Sequence, residues 1–292
     1  MTKRITVFVL LMFFVLHPAS HAIDLRGITK HLDTLKTVVG ATTKAARPIS
    51  DEEEYYLGRA VAARILGTYP LSNDKGLTKY VNLIGKAVSL SSDKPFTYGG
   101  YHFAVLETDE INAFACPGGI IFVTKGMAGM TTNEEELAAV LAHEIAHINK
   151  RDGIAAIKSS RWTEALAVIG TEAARTYSSS DVAKLVAIFE GSIDDVFKTL
   201  VVNGYSRSQE FAADESALQY LLRSGYDPES LNAFLKRLAG RGSPSGGGIT
   251  ATHPETADRI DNIAGKAPSG SADPQSIQTR TARFAEVMKL TR

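Results

Sequence analysis

Hydrophobic residues recur every three to four positions along most of the chain, a spacing that predicts amphipathic helices. The segment 51–69 shows this spacing first, and Ser50 followed by Glu53 forms a capping box at the start of that helix. Comparable patterns predict helices over 76–92, 131–150, 206–224 and 227–240. The chain is therefore predicted to be mainly helical.

Between residues 101 and 125 the pattern changes from helical to extended. Three short runs rich in β-branched and aromatic residues, YHFAVLET, INAFAC and GGIIFVTKG, are separated by turn-forming residues. These runs predict a small antiparallel sheet. The predicted fold class is α+β, mainly helical, with one small sheet.

Residues 1–22 have the pattern of a secretory signal peptide. Lys3 and Arg4 precede an apolar run over residues 5–16, and small residues lead to Ala22, where we expect cleavage. The apolar run is shorter than the about 20 residues that span a bilayer, and an uncleaved N-terminal anchor is the alternative. We therefore expect an exported protein, for which a bacterial periplasm is the best fit.

Composition places the chain among ordinary globular proteins. Of its 292 residues, 44% are hydrophobic and 22% are charged. The 32 basic residues balance the 32 acidic residues, which argues against the basic surface typical of nucleic-acid-binding proteins. Cys116 is the only cysteine, so no intrachain disulfide can form.

The helix over 131–150 carries two histidines and a glutamate among aliphatic residues, in the run LAHEIAHIN. His143 and His147 are four residues apart, so a helix places them on one face about 6 Å apart, where both imidazoles can bind one metal ion. Glu144 would lie beside that metal and accept a proton from its water. Core histidines bonded to backbone carbonyls are the structural alternative.

A catalytic zinc site takes three protein ligands, so a third ligand must lie elsewhere in the chain. The extended metzincin pattern would have a histidine where this chain has Gly153. A remote carboxylate is then the natural candidate, and Glu210 lies one helical turn before Asp214. Glu210 would bind the metal and Asp214 would orient a ligating histidine. Both residues also fit the solvated face of an amphipathic helix, and their spacing alone does not distinguish this alternative from a metal site.

Several sequence blocks together resemble one protein family. HEIAH at 143–147, SRSQEFAAD at 206–214 and NAFACPGGIIFVTKGM at 112–127 are similar, in content and in order, to the HtpX-like and Ste-type zinc metallopeptidases of the gluzincin group. THPETADRI at 252–260 resembles a fourth block of that family. The resemblance extends over residues 50–265 and implies a zincin-like metallopeptidase core, with the sheet beside the His-Glu-x-x-His helix and one zinc ion per chain.

The resemblance also implies a domain organisation and a role for each matched residue. The metallopeptidase domain would span 50–265, between an N-terminal extension at 23–49 and a C-terminal tail at 266–292. Integral family members carry several transmembrane helices, whereas only the N-terminal segment of this chain is apolar enough, so we expect a soluble exported relative. The implied roles are zinc ligands for His143, His147 and Glu210, general base for Glu144, and ligand orientation for Asp214.

Peptide hydrolysis also needs a cationic or hydrogen-donating group that faces the developing oxyanion. Tyr205, Arg207, His253 and Arg259 lie in or next to the family blocks, and sequence proximity does not choose among them. Arg207 could equally pair with Glu210 on the same helix. His253 follows a glycine-rich loop and supports a second hypothesis, in which it binds zinc as an added ligand and keeps the enzyme latent; oxyanion stabilisation and helix capping are the alternatives.

The run GGIIFV suggests how a polypeptide substrate binds. A strand with a free edge beside the metal helix can pair with an extended peptide. Such pairing depends on backbone conformation more than on sequence, so unfolded or misassembled envelope proteins are the expected substrates, whereas an ordinary core strand is the alternative. The residues assigned to this edge are Gly119, Ile120, Ile121 and Phe122.

The predicted function is a zinc-dependent endopeptidase that degrades misfolded proteins of the bacterial cell envelope, with peripheral association with a membrane or with envelope assembly machinery. The alternative is a zinc-stabilised periplasmic chaperone or assembly factor with little or no proteolysis. The intact Glu144 argues against that alternative, because a non-catalytic zinc site does not need this carboxylate. A purely structural zinc site is disfavoured because no cysteine-rich ligand set is present.

Overall fold

The computed structural model of the protein covers the predicted metallopeptidase region and most of the predicted tail. The described residues are 49–157, 161, 179–241, 248–253, 256–268 and 272–290. The predicted signal peptide at 1–22 lies outside them, as does all but the last residue of the predicted extension at 23–49. Among the described helices, none is both long enough and apolar enough to cross a membrane.

Helices account for most of the described residues. In chain order they are α1 (Asp51–Leu66), α2 (Lys75–Leu90), α3 (Lys125–Met130), α4 (Glu134–Lys150), α5 (Asp152–Ala155), α6 (Ser179–Lys198), α7 (Arg207–Ser224), α8 (Glu229–Gly240), α9 (Ile249–Thr252), α10 (Thr256–Ile263) and α11 (Pro274–Leu290). A π-helical turn over Thr199–Asn203 follows α6 directly.

Polar side chains and glycine explain where several of these helices begin and end. The predicted capping box of α1 is confirmed, because Ser50 Oγ accepts from the Glu53 N–H at 3.2 Å and Glu53 Oε2 accepts from the Ser50 N–H at 2.8 Å. Asn133 Oδ1 accepts from the Glu136 N–H at 2.9 Å at the start of α4. Gly225, with φ of 77°, ends α7 in the left-handed conformation, as its sequence position predicts.

Three strands form a mixed sheet in the order β1-β3-β2, where β1 is His102–Leu106, β2 is Ala113–Cys116 and β3 is Ile120–Thr124. Strands β2 and β3 form an antiparallel hairpin, whereas β1 pairs with β3 in parallel. The predicted α+β, mainly helical class is confirmed, but the prediction of an antiparallel sheet is wrong for β1. The chain passes from β1 through β2 before it returns as β3, so β1 and β3 run in the same direction.

The position of β3 also corrects the predicted substrate edge. Gly119 lies in the turn before β3, and Ile120, Ile121 and Phe122 lie within it. Because β3 lies between β1 and β2, both sides of its backbone pair with neighbouring strands and its edge is not free. Strand β2 lies at one edge of the described sheet and packs against α4.

Helix α4 is the central element of the fold. Every residue from Leu137 to Ile148 is buried, and α4 packs against α2, α7, α8, α11 and β2. Helix α11, which falls in the segment 266–292 predicted as a tail, packs against α4 through Arg283, whose Nε donates to Glu134 Oε2 at 2.8 Å. The all-round burial of α4 means that its polar residues must find partners inside the protein.

Candidate metal centre

Helix α4 places the two histidines of the His-Glu-x-x-His run side by side in the interior. His143 and His147 are 4% and 1% exposed, and their rings stand perpendicular with centroids 4.6 Å apart. The two Nε2 atoms are 3.0 Å apart, so both imidazoles point toward the same spot. The predicted helical spacing therefore produces convergent ring nitrogens.

Two more side chains converge on that spot from other parts of the chain. Glu210, on α7, places carboxylate oxygens 3.5 Å from the Nε2 atoms of His143 and His147. His253, which directly follows α9, places Nδ1 2.9 Å from Glu210 Oε1 and 3.2 Å from His143 Nε2. One ligand atom from each of these four residues lies within 4.8 Å of every other, and all four residues are buried.

This group of four has the chemistry of a zinc site. Imidazole nitrogens and carboxylate oxygens are common zinc ligands. Both carboxylate oxygens of Glu144 are buried and have no hydrogen-bond partner among the described residues. Buried polar atoms without partners are rare in proteins, and a cation with its bound water would supply partners for these oxygens. The four side chains can therefore hold a zinc ion.

Asp214 orients His143 from the far side of the ring. Asp214 Oδ1 lies 2.9 Å from His143 Nδ1, which leaves His143 Nε2 to face the centre. Arg259, on α10, donates to both carboxylate oxygens of Asp214, at 2.8 and 2.7 Å. Burial alone would raise the pKa of Asp214, but the Arg259 guanidinium outweighs it and lowers that pKa to about 2. Asp214 therefore stays ionised and keeps accepting from His143.

Asp152 orients His147 in the same way, although no sequence motif marks this residue. Asp152 Oδ2 lies 2.8 Å from His147 Nδ1, and Asp152 Oδ1 accepts from Gln209 Nε2 at 3.1 Å. The chain turns back after α4 because Arg151 adopts a left-handed conformation with φ of 59°. The available signal was a carboxylate five residues after His147, just past the end of the helix.

Of the residues predicted to face the oxyanion, some contact the metal centre and one lies outside it. Arg259 Nη1 lies 3.0 Å from Glu210 Oε2, and the Tyr205 ring stacks on His147 with centroids 4.1 Å apart. Arg207 lies outside the cluster, because its side chain is 55% exposed and its Nη2 is 2.9 Å from Asp258 Oδ2. The predicted pairing of Arg207 with Glu210 is therefore replaced by an ion pair with Asp258.

The charges around the centre favour an ionised Glu210. Burial alone would raise the pKa of Glu210, but His253 and Arg259 outweigh it and hold that pKa well below its usual value. Burial would lower the pKa of His147, but Asp152 and Glu210 outweigh it and raise that pKa to about 9. The carboxylates of Asp152 and Glu210 thus stabilise positive charge at the His147 ring, either as a proton or as a bound metal ion.

Comparison with known proteins identifies the family. Residues 77–267, more than half of the chain, match the model for Peptidase family M48. The chain belongs to Peptidase family M48. This confirms the predicted resemblance to a metallopeptidase family. The match begins within α2 and ends after α10, so it contains all the residues that meet at the metal centre.

Several metalloproteases are similar to this M48 chain. The β-barrel assembly-enhancing protease of Escherichia coli is 28% identical over 237 residues, which cover 80% of this chain and 48% of the relative. The metalloprotease LoiP of Escherichia coli is 25% identical over 189 residues, 65% of this chain and 68% of the relative. The mitochondrial metalloendopeptidase OMA1 of Schizosaccharomyces pombe is 28% identical over 191 residues, 64% of this chain and 52% of the relative. The chain spans about half the length of the β-barrel assembly-enhancing proteases that it matches.

Proposed function

We propose that the protein is a zinc-dependent endopeptidase of the bacterial cell envelope that degrades misfolded or misassembled polypeptides. The observation that carries this proposal is Glu144, a buried carboxylate beside the metal-binding group whose two oxygens have no hydrogen-bond partner among the described residues. A carboxylate that served only the fold would be paired. A general base has to remain available for the proton that it accepts.

Each residue of the centre has a role in this proposal. His143, His147 and Glu210 hold the zinc, which when bound supplies Lewis-acid polarisation of the scissile carbonyl and activation of water. Glu144 accepts a proton from the attacking water and then delivers it to the amine that leaves. The other contributors orient these groups: Asp214 with Arg259 fixes His143, and Asp152 with Gln209 fixes His147.

The proposed substrates are extended polypeptides that pair with the sheet beside α4. Strand β2 takes the place originally predicted for β3, because β2 lies at the edge of the described sheet and packs against α4. Main-chain pairing recognises an extended backbone rather than a particular sequence, which suits unfolded chains. The name of the β-barrel assembly-enhancing protease supports an envelope location and a role near assembly machinery, and the signal-like residues 1–22 support export.

Casein hydrolysis by the 23–292 protein, with zinc content per chain, tests the proposal. We expect one zinc per chain in both wild type and Glu144→Gln, and hydrolysis only in wild type, because glutamine keeps the shape of the side chain but cannot accept the proton. Glu215→Gln is the control, since its carboxylate is about half exposed and pairs with Lys266. Equal hydrolysis in wild type and Glu144→Gln would contradict the proposed role of Glu144.

We further propose that His253 keeps the enzyme latent. Catalytic zinc sites have three protein ligands and one open position, whereas four protein ligands close the site. His253 lies within the group of four, and its segment is fixed by the Ile249 N–H donating to Ile111 O at 2.8 Å and the Tyr205 N–H donating to Thr252 O at 3.2 Å. In this proposal His253 occupies the position at which the substrate carbonyl would approach the metal.

Latency is tested by His253→Ala in the same casein assay. We expect peptidase activity to rise at unchanged zinc content, because removal of the fourth ligand opens a position for water and substrate. A large fall in activity would instead give His253 a direct role in the reaction. Zinc in both wild type and His253→Ala without hydrolysis in either would favour the chaperone alternative.

A further inference from the structure

Tyr205 is a buried residue whose ring contacts the metal centre. The residue is 5% exposed, and its hydroxyl oxygen has no hydrogen-bond partner among the described residues. The ring lies 4.1 Å from the His147 ring, nearly parallel to it at 22°, and 6.0 Å from the His253 ring. Tyr205 therefore covers one ligand of the centre and neighbours another.

Packing alone does not account for this hydroxyl. A phenylalanine ring would stack on His147 equally well and would leave no polar atom buried. A tyrosine whose hydroxyl is buried without a partner costs free energy relative to that phenylalanine. Other buried tyrosines of the protein do have partners, since Tyr220 donates to Asp93 at 3.0 Å and Tyr226 donates to Glu134 at 2.9 Å.

The surroundings of the hydroxyl are acidic and apolar. Burial raises the pKa of Tyr205 well above its usual value, and the carboxylates of Glu144, Asp152 and Glu210 raise it further, with Glu144 the strongest of the three. A tyrosine hydroxyl carries its proton at neutral pH and can donate it in a hydrogen bond. A neutral phenol is not a zinc ligand of the kind that the group of four supplies.

We propose that the Tyr205 hydroxyl donates a hydrogen bond to the carbonyl oxygen of the scissile peptide bond, which makes Tyr205 a catalytic residue. This inference rests on the proposed peptidase function and adds a neutral donor to it. The donor strengthens its bond as negative charge grows on that oxygen during attack by water, so it stabilises the transition state more than the bound substrate. The metal ligands and Glu144 keep the roles already given.

Tyr205→Phe tests the inference, because it removes one oxygen atom and keeps the ring on His147. We expect kcat for casein-derived peptides to fall about 100-fold, as for the loss of one oxyanion donor, with KM changed less than about twofold and zinc per chain unchanged. The melting temperature of the metal-free protein should stay the same or rise, because an unpartnered buried hydroxyl is removed. Kinetics are measured in the wild-type and the His253→Ala backgrounds, so that latency does not hide the effect.

Tyr220→Phe is the matched control, since it removes a buried hydroxyl that has a partner. We expect the opposite result: a lower melting temperature and unchanged kcat. The inference is overturned if Tyr205→Phe hydrolyses peptides as fast as its parent, or if it lowers the melting temperature as much as Tyr220→Phe does. Absence of hydrolysis in both parent backgrounds would overturn the peptidase function itself, and this inference with it.

Discussion

The first turn and the middle of helix α4 contain buried carboxylates with different surroundings. In the first turn, Glu134, Glu135 and Glu136 are each less than 5% exposed, and each one is paired with an arginine from a later helix. The pairs are Glu134 with Arg283, Glu135 with Arg280, and Glu136 with Arg237. Between His143 and His147, Glu144 is equally buried but accepts no hydrogen bond from the described residues, and His253 Nε2 lies 3.8 Å from its Oε1.

One helix thus contains a group of carboxylates that stabilises the fold and a carboxylate that is available for chemistry. The carboxylates of the first turn form ion pairs within the protein. Glu134 also accepts hydrogen bonds from Tyr80 and Tyr226, at 2.6 and 2.9 Å. Such a network holds α4 in place and has no spare acceptor for a substrate. In the second region, the Glu144 oxygens lack hydrogen-bond partners among the described residues and lie beside converging histidines. Buried oxygens of this kind lower stability and are typical of functional sites.

The largest expected effect comes from removal of a metal ligand. Glu210→Gln should lower zinc affinity by more than about 100-fold, because it removes a charged ligand directly and even the loss of an orienting partner costs 10–100-fold. Zinc affinity is measured by competition with a chromophoric chelator. Glu215→Gln, on the exposed face of the same helix, is the control. Unchanged affinity in Glu210→Gln would show that zinc, if bound, is held elsewhere.

In the first turn of α4, Arg283→Ala should cost about 2 kcal/mol in the free energy of unfolding, because it leaves the buried Glu134 carboxylate without its cation. The cost is less than for a fully buried pair, because the Arg283 side chain is 42% exposed and Glu134 keeps its bonds to Tyr80 and Tyr226. Urea denaturation of the zinc-loaded protein measures this loss. Zinc affinity should change little, since the contact lies at the opposite end of the helix. Loss of zinc from Arg283→Ala with an unchanged free energy of unfolding would contradict the separate roles of the first turn and the metal centre.

Asp152→Asn should have an intermediate effect on the metal centre. Asparagine keeps the size of the side chain but holds the His147 N–H less strongly, so we expect zinc affinity to fall 10–100-fold. Titration of the metal-free protein with zinc gives this value. The same change at Asp194, an exposed residue paired with Arg64, should leave affinity as it is. Equal affinities for wild type and Asp152→Asn would mean that His147 needs no orienting carboxylate.

Arg207→Ala should have the smallest effect, within about 0.5 kcal/mol of wild type in the unfolding free energy, because its ion pair with Asp258 is largely exposed to solvent. Peptidase activity should also stay close to the wild-type level. Steady-state kinetics and urea denaturation check both values. A tenfold loss of kcat would instead indicate that Arg207 has a catalytic role, despite its position outside the cluster.

Local sequence patterns predicted much of the fold and the first half of the centre. The capping box at Ser50, the helix stop at Gly225 and the one-turn spacing of His143 and His147 each depend on residues close in sequence, so the local pattern is sufficient. Pairing between strands is different. A strand run indicates its own extended conformation but not its neighbour. The sequence pattern therefore does not reveal that β1 runs parallel to β3 or that β3 is the central strand.

Contacts between distant residues account for what the sequence did not reveal. Glu134, Glu135 and Glu136 have the pattern of an ordinary acidic first turn, which is common at exposed helix starts. Their burial depends on arginines about a hundred or more residues later, and no local signal indicates it. Asp152 was missed for a related reason, because its approach to His147 requires the left-handed turn at Arg151, a conformation unusual for arginine.

The ligands of the metal centre are far apart in the chain, and this separation controls when the protein can become active. His143 and His253 are 110 residues apart, and Glu210 lies between them. A chain still emerging from synthesis or crossing a membrane carries at most the paired histidines of one helix. The complete ligand set forms only when α4, α7 and the segment after α9 have packed together. Metal loading therefore follows folding, and an unfolded chain lacks the complete ligand set.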